Sequence, residues 1–467
     1  MIGRDSLVLK RAQQRSFGGE DSRAPSGQER DVMFDATTDP ALRSWRPVSA
    51  GSDFPVQNLP YGAFERDGTV RLGIAIGDDI FDLHLAAAAG LFDGVLPDAR
   101  AVLAGPTLNA LLAAGPDVWQ RVRTRIAQLL SASDATIRSA GLAQSAFIAR
   151  ADTPMRRAID VGDYIDFYSS LQHAGNAGAI FRAGSEALPA NWRWLPIGYH
   201  GRAGTIVASG TPIVRPRGQR REVDGVPVYE PTQALDFELE LAFVTGNGPR
   251  PPATIDARRA RETVFGIVLL NDWSARDVQA WESQPLGPLL GKSFATSLGD
   301  WIVPLAALEP YRVAAPLQSP PPLGHLVTGR DEAYDIALEV ALITPAMRSR
   351  GLGESVVSRT NFRSQYWSIA QQLAHAASNG ARIRAGDLFG SGTISGKDAD
   401  SWGSLLELTW NGARPLVLAD GSAHAFLEDG DEVVMRAWCA RAGHARIGFG
   451  AVHGTIAPAI SAIRSRP

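Results

Sequence analysis

Between Trp45 and Asp160, short apolar runs broken by glycine give way to apolar positions spaced three and four residues apart. Residues 60–64 and 71–77 read as short strands, and Asp78-Asp79 before 80–83 reads as a hairpin return. From Leu108 to Ala146 the spacing, with Ala, Gln and Arg in between, predicts helix. Residues 45–160 are therefore expected to form a small β-barrel domain with helices attached. From 161 the pattern changes. Strand-like segments recur at 205–208, 235–244, 264–271, 337–343, 405–410 and 432–438. Pro/Gly-rich loops separate them, including 316–324 with its Pro320-Pro321-Pro322 triplet. This predicts a mostly β second domain over 161–467. Two helices are expected within it. One starts at Ser274 as N-cap, with Asp277 in the place of a capping-box acid. The other runs over about 365–378 and closes at Asn379-Gly380.

The 467 residues exceed what one compact core usually holds, which supports two domains. A content of 45% apolar and 20% charged residues is an ordinary globular balance, so the fold needs no staples. The single cysteine, Cys439, excludes an internal disulfide and a thiolate zinc cluster, and fits a reducing compartment. A net charge of −3 argues against a general nucleic-acid binder, and no apolar run reaches membrane-spanning length. Residues 1–44 stand apart, rich in Arg, Ser, Gly, Gln and Asp without an apolar period, and are expected to be disordered. Arg4, Arg11, Arg15 and Arg23 admit a transit peptide, which Asp5, Glu20, Asp21 and Glu29 oppose. A start nearer Met33 is the third reading.

Candidate chemistry centres on carboxylates. Glu238 and Glu240 lie two apart in a strand pattern and so share a face, while Leu239 and Leu241 point to the other. Two like charges side by side call for a counter-charge if they are desolvated. Asp272 ends the strand pattern of 264–271, and Asp166 lies in what reads as a loop, 163–168. Such an all-oxygen set suits Mg²⁺ or Ca²⁺. A Glu-x-Glu pair is more often the wet face of an edge strand, so the residues alone leave both readings open. His173, seven residues after Asp166, has the intrinsic pKa of a general base, or is a loop histidine without a role. Tight turning between glycines explains His200 without chemistry. Arg276 and Gln279 share a helix face that would make an oxyanion site or a solvated surface. The run 287–293 imitates a phosphate-binding loop but has three residues between its glycines where four are required. Lys292 remains a candidate charge stabiliser.

In register, these blocks resemble the fumarylacetoacetase family from about Ser52 to Ile460. The resemblance rests on Ser52-Asp53-Phe54-Pro55-Val56-Gln57-Asn58-Leu59-Pro60-Tyr61-Gly62 and on Asp166-Phe167-Tyr168-Ser169-Ser170 with Gln172-His173. It continues in Leu195-Pro196-Ile197-Gly198-Tyr199-His200-Gly201-Arg202 and Asn271-Asp272-Trp273-Ser274-Ala275-Arg276-Asp277. Pro285-Leu286-Gly287-Pro288, Gly291-Lys292-Ser293-Phe294, Ser391-Gly392-Thr393-Ile394-Ser395-Gly396 and Leu406-Glu407-Leu408 complete it.

The resemblance implies a small SH3-like barrel followed by a large β-sandwich roll, a homodimer in the cytoplasm, and Ca²⁺ or Mg²⁺ as cofactor. It implies hydrolysis of a C–C bond in a diketo acid, 4-fumarylacetoacetate, to fumarate and acetoacetate, the last step of tyrosine breakdown. Asp166, Glu238, Glu240 and Asp272 match the metal carboxylates, with Lys292 and Thr296 close to the cation. His173 matches the base that activates water, and Glu407 the carboxylate that orients it. Arg276, Gln279 and Lys292 match groups that stabilise developing negative charge. Tyr168, Arg182, Tyr199 and Thr393 match substrate contacts. Asp236 is left as structural. Ser283 departs from the tyrosine that the animal members place beside the substrate. Two other readings stand beside this one. The first is a related acylpyruvate hydrolase or oxo-acid decarboxylase, and the second is a non-catalytic metal-binding scaffold.

Overall fold

The computed structural model describes residues 35–182, 186–222 and 224–461. A first antiparallel sheet holds β1 (Tyr61–Arg66), β2 (Thr69–Ile76), β3 (Asp79–Asp82), β4 (Phe147–Ala149) and β5 (Met155–Arg156). Its order is β4-β3-β2-β1-β5. The β1–β2 turn places Asp67 and Gly68 at φ 52 and 71, the Asp-Gly pairing that a tight hairpin requires. The helical stretch expected over 108–146 is three helices: Asn109–Ala113, α1 (Pro116–Leu130) and Thr136–Ser139. Gly115 at φ 86 breaks the first, and Pro116 restarts the chain at the first position of the next. α1 buries Trp119, Val122, Ile126, Leu129 and Leu130 along one stripe.

Residues 1–34 of the expected disordered extension lie outside the described residues. The stretch that follows is packed. Arg123 donates through Nε to the buried Thr37 hydroxyl at 2.8 Å, and Gln57 donates to the Asp39 and Leu42 carbonyls. Cys439 is buried, and among the described residues no helix is long and apolar enough to cross a membrane.

The large sheet contains β6 (Tyr164–Phe167), β7 (Gly198–His200), β8 (Ile206–Ala208), β9 (Leu239–Thr245), β10 (Val264–Asp272), β11 (Thr296–Leu298), β12 (Val303–Pro304) and β13 (Leu388–Gly390). It runs β7-β6-β13-β9-β10-β11-β8, with β12 also on β10. Another five-stranded sheet is ordered Ser355–Asn361, Ala337–Ile343, Glu432–Cys439, Ile447–Ala457 and Ile213–Val214. Leu239, Leu241 and Phe243 pack toward that sheet with Leu338, Val340, Met435 and Phe449. Ala242, Val244, Val268 and Leu270 turn the opposite way and pack with Leu72, Ile74, Trp119 and Ile126 of the first domain. The large sheet is thus a middle layer covered on both faces. The strands are mostly apolar for that reason, and the acids stand out at one end.

Four expected elements differ. Residues 405–410 form not a strand but a helical turn, α5 (Leu405–Leu408), because Ser404 caps it and the Asp236 carboxylate accepts its first two N–H groups. The expected 235–244 strand breaks at Phe237-Glu238; Leu235–Asp236 pairs instead with Ser274–Ala275. The helix α3 therefore starts at Arg276 and ends at Glu282, with Ala275 at its N-cap. Its Asp277 does not close a capping box but accepts from Thr232 and from the Gln233 N–H. The later helix, α4, is shorter than expected at Ile369–Ala376, and Ser368 with Gln371 forms its capping box.

Candidate functional site

Strand order brings the acids together. Asp166 sits on β6 and not in a loop, Glu240 on β9 and Asp272 at the end of β10, with β13 between β6 and β9. Glu238 precedes β9 and bridges to Ser404. One carboxylate oxygen from each of Asp166, Glu238, Glu240 and Asp272 lies within 4.8 Å of the others, and all four residues are buried. β9 is paired on both sides, so the pair at 238 and 240 is not the wet face of an edge strand.

Gly390 makes this convergence possible. A Cβ there would lie 2.9 Å from Asp166 Oδ1, 3.0 Å from Glu240 Oε2 and 3.3 Å from the Tyr164 hydroxyl. Its backbone is not in the left-handed region, so the need is for space and not for φ. Gly390→Ala is expected to weaken binding of Mg²⁺ or Ca²⁺ by about tenfold or more while Tm changes little. Calorimetric titration of the purified protein with each cation checks this.

The charges around the cluster are uneven. Lys292 Nζ lies 2.6 Å from Glu238 Oε2 and 2.7 Å from Asp272 Oδ2. Arg276 Nη1 donates to Glu238 Oε1 at 2.7 Å. Asp272 also accepts from the Tyr199 hydroxyl at 3.2 Å and from Thr296 at 2.9 Å. Glu240 Oε2 accepts the Gly392 N–H at 3.0 Å. Asp166 Oδ1, Glu240 Oε1 and the Tyr164 hydroxyl are buried and have no hydrogen-bond partner among the described residues. Burial raises the Glu238 pKa, but Lys292 and Arg276 more than offset it and hold that carboxyl below the usual range. Burial, reinforced by the Asp272 charge at Asp166 and by the Asp166 charge at Glu240, holds those two well above it. Burial lowers the Lys292 pKa, but Asp272 and Glu238 outweigh it, so the ammonium stays charged. With all four carboxyls ionised, only two cations face them, one shared with Asp236, which leaves at least two negative charges for a bound cation to balance. An all-oxygen donor set with orphaned carboxylate oxygens and that net charge fits a hard divalent cation.

His173 belongs not to a loop but to the first turn of α2 (Leu171–Phe181), which Ser170 caps by accepting the His173 N–H. Its Nδ1 lies 2.7 Å from Glu407 Oε2 across a sequence separation of 234 residues. Glu407 is fully buried and also accepts from Asn176 at 2.9 Å, Ser395 at 2.9 Å and Ser404 at 2.9 Å. Burial raises the Glu407 pKa, but His173 and these donors outweigh it, so the carboxylate is ionised. A carboxylate on Nδ1 leaves Nε2 to take a proton, the arrangement of a general base. The Tyr168 ring packs edge-on against the imidazole at 5.4 Å.

Gln279 accepts from Arg276 Nη1 at 3.1 Å, as their shared helix face requires. Arg276 Nη2 and the Thr393 hydroxyl are buried and have no hydrogen-bond partner among the described residues. Arg182 ends α2 on the surface, donates to the Ala187 carbonyl, and is near enough for its charge to act on Tyr168. The Ser283 hydroxyl donates back to the Gln279 carbonyl and so caps α3. The sequence alone gives no role to Asn176, Ser395, Ser404 or Gly390. Asn176, one helical turn after His173, is the one that spacing alone would have found.

The arrangement can be compared with known proteins. Residues 57–174 match the family described as Fumarylacetoacetase N-terminal, and 164–457 match Fumarylacetoacetate (FAA) hydrolase C-terminal. A fumarylacetoacetase of Arabidopsis thaliana is 47% identical over 423 residues, covering 89% of this chain and 99% of that protein. Fumarylacetoacetases of Rattus norvegicus and Homo sapiens are 46% and 45% identical, covering 90% and 89% of this chain and 99% of each. Among solved structures, a fumarylacetoacetate hydrolase from Exiguobacterium antarcticum aligns with TM-score 0.48 at 17% identity, covering 86% of this chain and 99% of that one.

Proposed function

Because the chain belongs to the fumarylacetoacetate hydrolase family, we propose that it is a fumarylacetoacetase, a hydrolase that cleaves a C–C bond of 4-fumarylacetoacetate to give fumarate and acetoacetate. One observation carries the reading: a buried four-carboxylate cluster stands beside a histidine that is locked by a fifth carboxylate, Glu407. The family is metal-dependent, and Asp166, Glu238, Glu240 and Asp272 would hold the metal. A hard divalent cation bound there would supply Lewis acidity toward the keto oxygens of the substrate. We assign Mg²⁺ or Ca²⁺ from the donor chemistry. Lys292 stays protonated, so its part is that of a counter-charge and not of a ligand. Thr296 orients Asp272.

His173 Nε2 takes a proton from water while Nδ1–H remains on Glu407. The resulting hydroxide adds to the carbonyl on the fumaryl side. The C–C bond then breaks, and its electron pair leaves with the acetoacetate fragment as an enolate, which takes up the proton held by His173 and so regenerates the base. Arg276 Nη2, uncommitted among the described residues, Gln279 and Lys292 stabilise the negative charge that develops. Tyr168, Arg182, Tyr199 and Thr393 contact the substrate. We place the domain boundary at 160/161 and the working form as a homodimer in the cytoplasm.

The test is fumarate release from fumarylacetoacetate, followed with and without a chelator. Turnover that the chelator abolishes and Mg²⁺ or Ca²⁺ restores is the expected result. Turnover of an acylpyruvate but not of fumarylacetoacetate would make the chain a related hydrolase. Cation binding without turnover of either would make it a scaffold.

A further inference from the structure

Asp236 is fully buried, two residues before Glu238, and its carboxylate collects donors from three separate parts of the chain. Oδ2 accepts from Arg276 Nε at 2.8 Å and from the Leu406 N–H at 2.9 Å. Oδ1 accepts from the Leu405 N–H at 2.7 Å and the Phe237 N–H at 2.8 Å. The two sides of this junction lead to different halves of the site. On one side, Nε–H to Asp236 and Nη1–H to Glu238 pin the planar guanidinium at two points, which leaves Nη2 as its uncommitted nitrogen. On the other side, α5 has only four residues, and it carries Glu407, the partner of His173. So short a helix has little stability of its own. Its register is set by what holds its first N–H groups, and those are held by Asp236 and by Ser404.

We propose that Asp236 is a positioning residue that fixes the Arg276 guanidinium relative to the His173–Glu407 pair, so that charge stabilisation and water activation act on one substrate in one geometry. This rests on the hydrolase reading and gives Asp236 a role beyond holding the fold. A purely structural carboxylate would satisfy α5 alone or Arg276 alone. Here one group binds both. A displacement of about 1 Å between such groups is enough to lower a rate about 100-fold.

Asp236→Asn tests this. The variant keeps the size, but its amide sets an N–H donor either against Arg276 Nε and the Leu406 N–H or against the Leu405 and Phe237 N–H groups. The expected result is a kcat lower by about 100-fold with KM changed less than about threefold, and with Mg²⁺ affinity by calorimetry unchanged. In double-mutant cycles with Arg276→Gln and with Glu407→Gln, the losses are expected to fall well short of adding. A lowered Tm with wild-type kcat, or losses that add fully with both partners, overturns the proposal. If Asp236→Asn does not fold, Asp236→Glu serves instead: it retains the charge but pushes both tethers out by one methylene. It is expected to lose kcat to a similar extent, and a wild-type kcat in that variant overturns the proposal equally. Failure of the hydrolase reading is a separate outcome, because it appears as absence of fumarate release by the unaltered enzyme.

Discussion

His173→Ala is expected to lower kcat by about three orders of magnitude while cation binding stays within a few-fold of wild type. The size follows from the role. A positioned general base contributes roughly 10²–10⁴-fold, and the groups that stabilise negative charge remain in the variant. The two halves of this prediction separate because imidazole and carboxylates occupy different elements. His173 is on α2 and is tied to Glu407, whereas the cluster is built on β6, β9 and β10 with Glu238. Glu407→Gln is expected to lose less than His173→Ala, since the amide still contacts Nδ1 but supplies no charge to balance the imidazolium. Steady-state kinetics with calorimetric cation titration decides the matter. A variant with full activity would move the base elsewhere.

Asp166→Asn should abolish metal-linked activity and at the same time raise the stability of the cation-free protein. Asp166 Oδ1 is buried without a partner, and burial with the neighbouring Asp272 charge disfavours its ionised form. A neutral amide at this position carries no cost of ionisation among the other acids. It also removes a donor that a hard cation needs. Thermal unfolding shows both effects. In wild type, cation at 100 times its Kd is expected to add about 2.7 kcal/mol of stability. In Asp166→Asn the starting Tm is expected to be higher, and the same cation concentration is expected to shift it little. A lower cation-free Tm would mean that Asp166 is compensated by the protein and is not held for a ligand.

Much of the site could be read from local pattern. The alternation at 238–241 assigned the acids and leucines to opposite faces, and Leu239 and Leu241 do enter the core. The three-residue spacing of Arg276 and Gln279 predicted their contact. Local pattern misread 405–410, however, where apolar residues in a short run fit strand and helix equally. The deciding groups there, Ser404 and Asp236, include one that lies 169 residues away from Leu405. Asp166 and His173 both lie in segments that read as loop, because short segments between glycines and serines resemble turns until a neighbouring strand or helix cap is known. By sequence Asp236 reads as structural. Its carboxylate in fact joins Arg276 to α5, a link that no spacing rule contains.

The amino-acid order by itself determined the periods: which residues alternate on a strand, which share a helix face, and that four acids and a histidine were available with no cysteine set to compete for a metal. Those properties depend on neighbours within a few residues and on fixed backbone geometry. Only the tertiary structure decided that the acids meet and that the histidine is oriented. β6 and β9 are brought within reach of one another because β13 lies between them and carries glycine at 390. His173 finds Glu407 across 234 residues because α2 and α5 pack together. Convergence of this kind is set by the order of strands in a sheet buried on both faces. It therefore depends on which distant segments pack together, which local periodicity does not encode.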